Sequence, residues 1–470
     1  MHIAMREALS SMNVTDLSLD RATLHAAYAA GRLDPAEVVG LIHRRIAALG
    51  DPGIFLHLVP AGDAEAAARA LPPFDAARFP LWGLPVVVKD NIDVAGLPTT
   101  AACPGFAYMA QETAPAVAKL LAAGAVLIGK ANLDQFATGL VGVRTPFPAP
   151  RNAFDPSRVP GGSSSGSAVA VAQGLATFSL GTDTAGSGRV PAALNNLVGL
   201  KPSLGVVSTR GVVPACRTLD CVSVFALTVD DAWAAFAVMQ GEDAGDPFSR
   251  PIPWQTPAEA APLLRIGVPK APEIDDDAGR AAWGAAQAGL AGLGVAVREI
   301  DLGPFHAVAR LLYDGPWVAE RAAAVGDFAA ARPEAVHPVT RGILAAAARF
   351  SAVDAFRGLY LLAELRRRTE PAWAEVDAII VPSAPNFPTL AELEADPIGP
   401  NARLGTYTNF VNLLDLAALA VPGPFRPDGL PAGITLIGPR GSDARLAAFG
   451  ARFQTATQPR LGATAGKVAA

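Results

Sequence analysis

The apolar residues of this chain fall in short blocks separated by polar, glycine and proline positions. Residues 85–88 (PVVV) and 125–128 (AVLI) read as buried strands, and 116–123 (AVAKLLAA) between them reads as a helix. The rhythm returns later: 265–269 (RIGVP) is a predicted strand, the alanine-rich 281–293 a helix, 295–300 (VAVREI) a strand, and 378–382 (AIIVP) a strand closed by proline. Two short helices come first, one ended by Gly31 and the next opened by Asp34 and Pro35, an N-cap followed by proline in the first turn. Residues 241–256 are polar and proline-bearing and read as an exposed connection. The expectation is an α/β protein with an N-terminal helical arm over 1–79, a main domain over 80–458 and a loose tail over 459–470.

Hydrophobic residues make up 51% of the 470 positions, ample for a large core. The formal net charge is −5 and no Lys/Arg tract exists, so a nucleic-acid groove is not expected. The opening MHIAMREALSSMNVTD has no apolar signal core, and no uninterrupted apolar run is long enough to cross a membrane, which makes the cytoplasm the expected compartment. Cys103, Cys216 and Cys221 are too few and wrongly spaced for a zinc ribbon or a disulfide framework, and no metal or cofactor is expected.

Candidate chemistry concentrates in residues 161–191, GGSSSGSAVAVAQGLATFSLGTDTAGSGRVP. Two serine-glycine loops flank one short helix and one short strand. Gly161, Gly162 and Gly166 in the first loop, and Gly186 and Gly188 in the second, permit backbone angles that other residues resist. Tight loops of this kind aim a hydroxyl and several N–H groups at one point, as acyl transfer requires when a carbonyl oxygen becomes an anion. The apolar blocks 168–172 and 176–180 argue against a flexible linker. No Lys follows the last glycine, which excludes a Walker phosphate loop.

The two loops resemble those of the amidase signature family, approximately GGSSGGS and GSDTGGSIR, whose catalytic set is Ser, cis-Ser and Lys. Ser187 matches the nucleophile and Ser163 the bridging cis-serine, 24 residues apart as in the family pattern. LPVVVKDNI at 84–92 resembles the strand that delivers the lysine, making Lys89 the third member. Ser165, Ala185 and Gly188 replace the more general Gly, Gly and Ile, and in this the chain is similar to the allophanate hydrolase branch. The resemblance spans residues 19–458. It implies a mixed central sheet covered by helices on both faces, with 80–458 as the catalytic domain; allophanate hydrolases commonly carry a second, smaller C-terminal domain, and none is expected within residues 459–470.

An amide is a poor electrophile, so its hydrolysis needs a deprotonated nucleophile, an oxyanion hole and an acid for the leaving amine. None of the six histidines lies in either loop or around Lys89. Lysine serves as base if burial brings its pKa from about 10.4 toward ~7 to 8, and Lys89 follows the apolar run Val86 to Val88. The alternative for Lys89 is an ion pair with Asp90 or Asp93. Ser163 would relay the proton, since a hydroxyl accepts on one side and donates on the other. The resemblance implies an oxyanion hole from the N–H groups of Thr184, Ala185, Gly186 and Ser187, and Asp183 reads as a cap that fixes the loop.

Allophanate, a urea bearing a carboxylate, is a small anionic amide, and its pocket should hold an arginine able to grip a carboxylate. Arg144, Arg189, Arg210, Arg217 and Arg321 compete on sequence alone. The resemblance implies Tyr313 and Arg321 as substrate contacts, eight residues apart and so near one face if that stretch is a single helix, with Gly139 as a backbone contact. The expected activity is hydrolysis of allophanate with release of ammonia and carbon dioxide. Other readings are a biuret-type or other small-amide amidase, an amidotransferase A-like component, and a non-catalytic protein on the same fold. The expected partner is a small anionic substrate, with neither nucleic acid nor membrane, and the expected assembly is a homodimer.

Overall fold

The computed structural model describes residues 17–457 and 460–464. Residues 1–16, read above as lacking a signal core, and most of the 459–470 tail lie outside the described residues. The first two helices form where their caps predict. Arg21–Ala29 starts at Asp20, whose carboxylate accepts the Thr23 N–H at 2.9 Å, and the chain turns at Gly31 with φ 61°. Pro35–Leu49 opens on a reciprocal capping box between Asp34 and Glu37. These helices bury Leu24, Val38, Val39 and Ile42 in the same core as Val86 and Val88.

The described residues contain thirteen strands: β1 Phe55–Leu58, β2 Pro85–Lys89, β3 Pro98–Thr99, β4 Tyr108–Met109, β5 Val126–Ala131, β6 Phe178–Asp183, β7 Val198–Lys201, β8 Cys221–Ala226, β9 Arg265–Pro269, β10 Ala296–Ile300, β11 Ala378–Pro382, β12 Ala417–Pro422 and β13 Gly433–Gly438. Eleven join one sheet in the order β1-β5-β2-β6-β8-β7-β12-β13-β11-β9-β10, and β3 pairs with β4 apart. β1, from the segment read as an arm, is thus an edge strand of this sheet. Two parallel groups, β5-β2-β6 and β11-β9-β10, are joined through antiparallel strands, so the sheet is mixed as expected.

Helices cover both faces, and the alternation of strand side chains shows it. On β11, Ile380 enters the core shared with Leu446, Phe449 and Phe453 of the helix Asp443–Thr457. Its neighbours Ile379 and Val381 enter a second core with Phe305 and Leu312 of the helix Gly303–Asp314. Strands covered on both sides read as continuous apolar runs, and each buried Val, Leu, Ile or Phe contributes ~1.5–3 kcal/mol.

One expectation fails. Tyr313 and Arg321 do not share a helix: Gly303–Asp314 stops at Gly315, and a new helix, Trp317–Ala331, starts after Pro316. Proline lacks the N–H that would continue the first helix and has the φ suited to beginning the second.

The register assembles the site. β2 and β6 run parallel with Val88 opposite Leu180, so Lys89 and Thr182 emerge at the same, carboxyl end. β8 runs antiparallel with Cys221 opposite Asp183, which delivers Asp220 there too.

Candidate active site

Lys89 is fully buried, and its three hydrogen-bond partners are all hydroxyls: Nζ lies 2.8 Å from Ser163 Oγ, 2.9 Å from Ser164 Oγ and 2.8 Å from Thr182 Oγ1. Burial pushes its pKa down to about 7, against the pull of Asp134, Asp220 and Asp183. Hydroxyls tolerate either state of the amine, because each can accept from an ammonium or donate to a neutral nitrogen. The alternative ion pair is not made. Asp90 pairs with Lys130 at 3.2 Å, and Asp93 accepts from Thr99 and Tyr108.

The first loop leads from a cis Gly162–Ser163 peptide into the helix Ser165–Ala172, which is buried all round. The Ser163 carbonyl accepts the Asp134 N–H at 3.0 Å, and the Asp134 carboxylate accepts the Gly142 and Arg144 N–H groups. Gly162 is required by crowding rather than by its own φ: a Cβ there would lie 2.1 Å from Asp134 Oδ2.

The second loop is fixed by Asp183, as its cap reading predicts. Its carboxylate accepts the N–H groups of Gly186 and Gly188 at 3.1 and 2.9 Å and forms a buried two-pronged pair with Arg189. Burial opposes ionisation of Asp183, yet the Arg189 charge and these hydrogen bonds hold its pKa below the ordinary carboxylate value. Gly186 takes φ 127°, and Thr408 Oγ1 closes on the Ala185 carbonyl at 2.6 Å. Because the Gly186 N–H is committed to Asp183, it is not a free oxyanion donor. The N–H groups of Thr184, Ala185 and Ser187 have no protein acceptor among the described residues, and neither does the Ser187 hydroxyl. Asp220 accepts the Thr184 hydroxyl and the Ala215 and Cys216 N–H groups, and burial raises its pKa to about 6.

The arginines separate cleanly. Arg189 is taken up by Asp183, the Thr408 carbonyl and Asn412 Oδ1, Arg210 pairs with Asp243 at the surface, and Arg217 lies over the Phe248 ring. Arg144 is buried and donates to the carbonyls of Thr138 and Pro397. Arg321 is 2% exposed and forms no ion pair among the described residues. It makes two long hydrogen bonds, 3.3 Å to Thr138 Oγ1 and 3.3 Å to Tyr313 Oη, stacks 5.1 Å over the Tyr313 ring, and leaves its Nε unpartnered. The helix break therefore brings Tyr313 and Arg321 together by folding one helix onto the next. Burial lowers the Arg144 pKa, and the nearby Arg321 charge adds to it. Gly139 sits between these groups and the loops: it follows Thr138, and a Cβ there would meet Asp134 Oδ2 at 2.5 Å and Arg144 Cδ at 3.2 Å. Arg144 and Tyr313 also line a cavity of about 770 Å³ with Leu140, His306 and Asn401.

Sequence reasoning missed Ser164 and Thr182 as lysine partners and Asp134 and Asp220 as loop anchors. Two signals were available. Asp134 follows the apolar β5 and Asp220 precedes the apolar β8, and an Asp at a buried strand end needs partners.

A family model described as Amidase matches residues 37–447. The chain belongs to the amidase family. This amidase is 47% identical over 394 residues to the urea amidolyase of Lachancea kluyveri, covering 83% of this chain and 22% of that protein. It is 35% identical over 481 residues to the A component of the glutamyl-tRNA(Gln) amidotransferase of Symbiobacterium thermophilum, covering 94% and 97%. A solved allophanate hydrolase of Kluyveromyces lactis superposes with a TM-score of 0.88 at 40% identity, covering 97% of this chain and 76% of that one. The chain thus spans about a fifth of the urea amidolyase that it matches. No helix of the described residues is long and apolar enough to cross a membrane.

Proposed function

We propose that this amidase hydrolyses allophanate, with Ser187 as nucleophile, Lys89 as base and Ser163 as relay. Neutral Lys89 takes the Ser163 proton while Ser163 takes that of Ser187. The Ser187 oxygen bonds to the urea carbonyl carbon, and the negative oxygen is met by the free N–H groups of Thr184, Ala185 and Ser187. The C–N bond then breaks, the relay returns a proton to the leaving nitrogen, and ammonia departs. Water cleaves the acyl-enzyme by the reverse relay, and the N-carboxylated product loses carbon dioxide.

The observation that carries the substrate assignment is Arg321: a buried guanidinium with an unpartnered N–H and no paired carboxylate, linked through Thr138, Gly139 and Asp134 to the Ser163 loop. A buried unpaired cation is costly, and a substrate carboxylate would compensate it. The similarity to urea amidolyase and allophanate hydrolase supports the same reading. A second reading, an ammonia-donating component of an amidotransferase, draws on the end-to-end match to the glutamyl-tRNA(Gln) enzyme. Ammonia release by the purified chain alone distinguishes them: rapid release from allophanate with none from glutamine supports hydrolysis, whereas release from glutamine and not from allophanate supports the amidotransferase role.

A further inference from the structure

The cavity of about 770 Å³ reaches the candidate machinery at its floor. Arg144 and Tyr313 line it there, with the Tyr313 hydroxyl bonded to Arg321, and Asn409 lines it beside Thr408, which closes on the Ala185 carbonyl of the second loop. Its walls are largely apolar, supplied by Leu140, Val318, Val339, Ile343 and Ile398. Two further arginines, Arg310 and Arg349, line it where it meets solvent, and both are exposed. They come from different elements, the helix Gly303–Asp314 and the short turn Ala346–Arg349, and neither meets an acid within ion-pair distance among the described residues. Arg349 donates to the Ala346 carbonyl at 3.4 Å and lies over the Phe350 ring. Arg310 stands four residues before Asp314, a spacing that suits an ion pair, yet the two do not pair.

The charge balance of the lining favours an anion. Its two acids are Glu273 and Asp314. Glu273 is bonded to Arg403 and lies 3.3 Å from His306 Nδ1, so its charge is met locally. Asp314 alone then opposes Arg144, Arg310 and Arg349, which makes the cavity cationic in a chain of net charge −5. A cleft lined by one sign of charge between apolar walls focuses the field and raises the local concentration of the counter-ion. We propose that Arg310 and Arg349 form a cationic collar that draws an anionic substrate into the cavity and delivers it to Arg321, an inference that rests on the allophanate reading. The collar selects by charge before contact is made. A small carboxylate is gathered, whereas a neutral amide of the same shape enters only by diffusion.

Steady-state kinetics of the full chain on allophanate and biuret, at about 10 mM and about 0.5 M ionic strength, test this, because salt shortens the reach of exposed charges from ~30 Å to a few Å. For the wild type, kcat/KM on allophanate should fall severalfold at high salt and that on biuret should hold. Arg310→Gln and Arg349→Gln should each lower the low-salt value for allophanate by about threefold, through KM rather than kcat, and the differences should vanish at high salt. Arg310→Glu with Arg349→Glu should reverse the sign of the salt response. Asp314→Asn, which removes the opposing acid at a helix end where a carboxylate brings no benefit, should raise the low-salt value. Salt-independent turnover of allophanate, or equal responses on allophanate and biuret, overturns the collar. If the wild type releases no ammonia from allophanate, the proposed function fails instead. Titration calorimetry with malonate then reads the collar by itself: weaker binding at high salt and in both Gln variants supports it, and malonate binding indifferent to both overturns it.

Discussion

Lys89 and Asp90 are consecutive residues that never meet: Lys89 Nζ faces Ser163 at 2.8 Å, whereas the Asp90 carboxylate faces Lys130 at 3.2 Å. Successive side chains of extended backbone point to opposite sides, so the acid nearest in sequence is kept from the amine. Lys89 is left among neutral hydroxyls, and burial then sets its pKa. A direct consequence concerns pH. The base must be neutral to accept a proton, so kcat/KM should rise as pH climbs through about 7 and fall below it. Lys89→Ala should lose ~10²–10⁴-fold, the usual scale for a proton-transfer group. Lys89→Arg, permanently charged, should be equally inactive, and substantial activity in that variant would make the lysine structural.

Ser187→Ala should reduce kcat by at least ~10³-fold with no change in thermal unfolding, because it deletes one hydroxyl that bonds to no other group among the described residues. A fluorophosphonate should add its mass to Ser187 alone, and intact-protein and peptide mass spectrometry reads the site.

Arg321→Ala should raise the KM for allophanate about 10- to 100-fold, from the ~1.5–3 kcal/mol of a hydrogen bond to a charged group, and barely move that for a neutral amide. Malonate, a small dicarboxylate, should inhibit the wild type and not the variant. Equal losses on both substrates would reduce Arg321 to a scaffold and shift attention to Arg144, a buried arginine that lines the cavity.

The Asp183–Arg189 pair predicts a stability effect distinct from catalysis. Both side chains are wholly buried, so Arg189→Met should cost ~3–5 kcal/mol in denaturant unfolding by stranding the carboxylate. Adding Asp183→Asn should recover part of that loss, since the stranded charge is gone.

How far the sequence carried this account depended on the range of the interactions. Local signals were sufficient for Asp34, whose cap and following proline define a helix start, and for the 85–88 run, whose apolar pattern survives as β2. The loop strings located Lys89, Ser163 and Ser187. Long-range facts were not legible. Thr182 meets Lys89 only because β6 lies beside β2, and that Arg189 and Arg210 are taken up by acids depends on where Asp183 and Asp243 settle. Tyr313 and Arg321 show the intermediate case: their nearness was read correctly, but spacing on one helix was the wrong reason, since Gly315-Pro316 breaks the helix and folds one on the other.

The most direct measurement of the central claim is the ratio of kcat/KM for allophanate to that for biuret, in which a neutral amide replaces the carboxylate at nearly constant shape. With Ser187 attacking and Arg321 holding the anion, the wild-type ratio should exceed about 100 and collapse toward one in Arg321→Ala, in keeping with the loss of a charge-assisted contact. A wild-type ratio near one, or a preference for biuret, would contradict it.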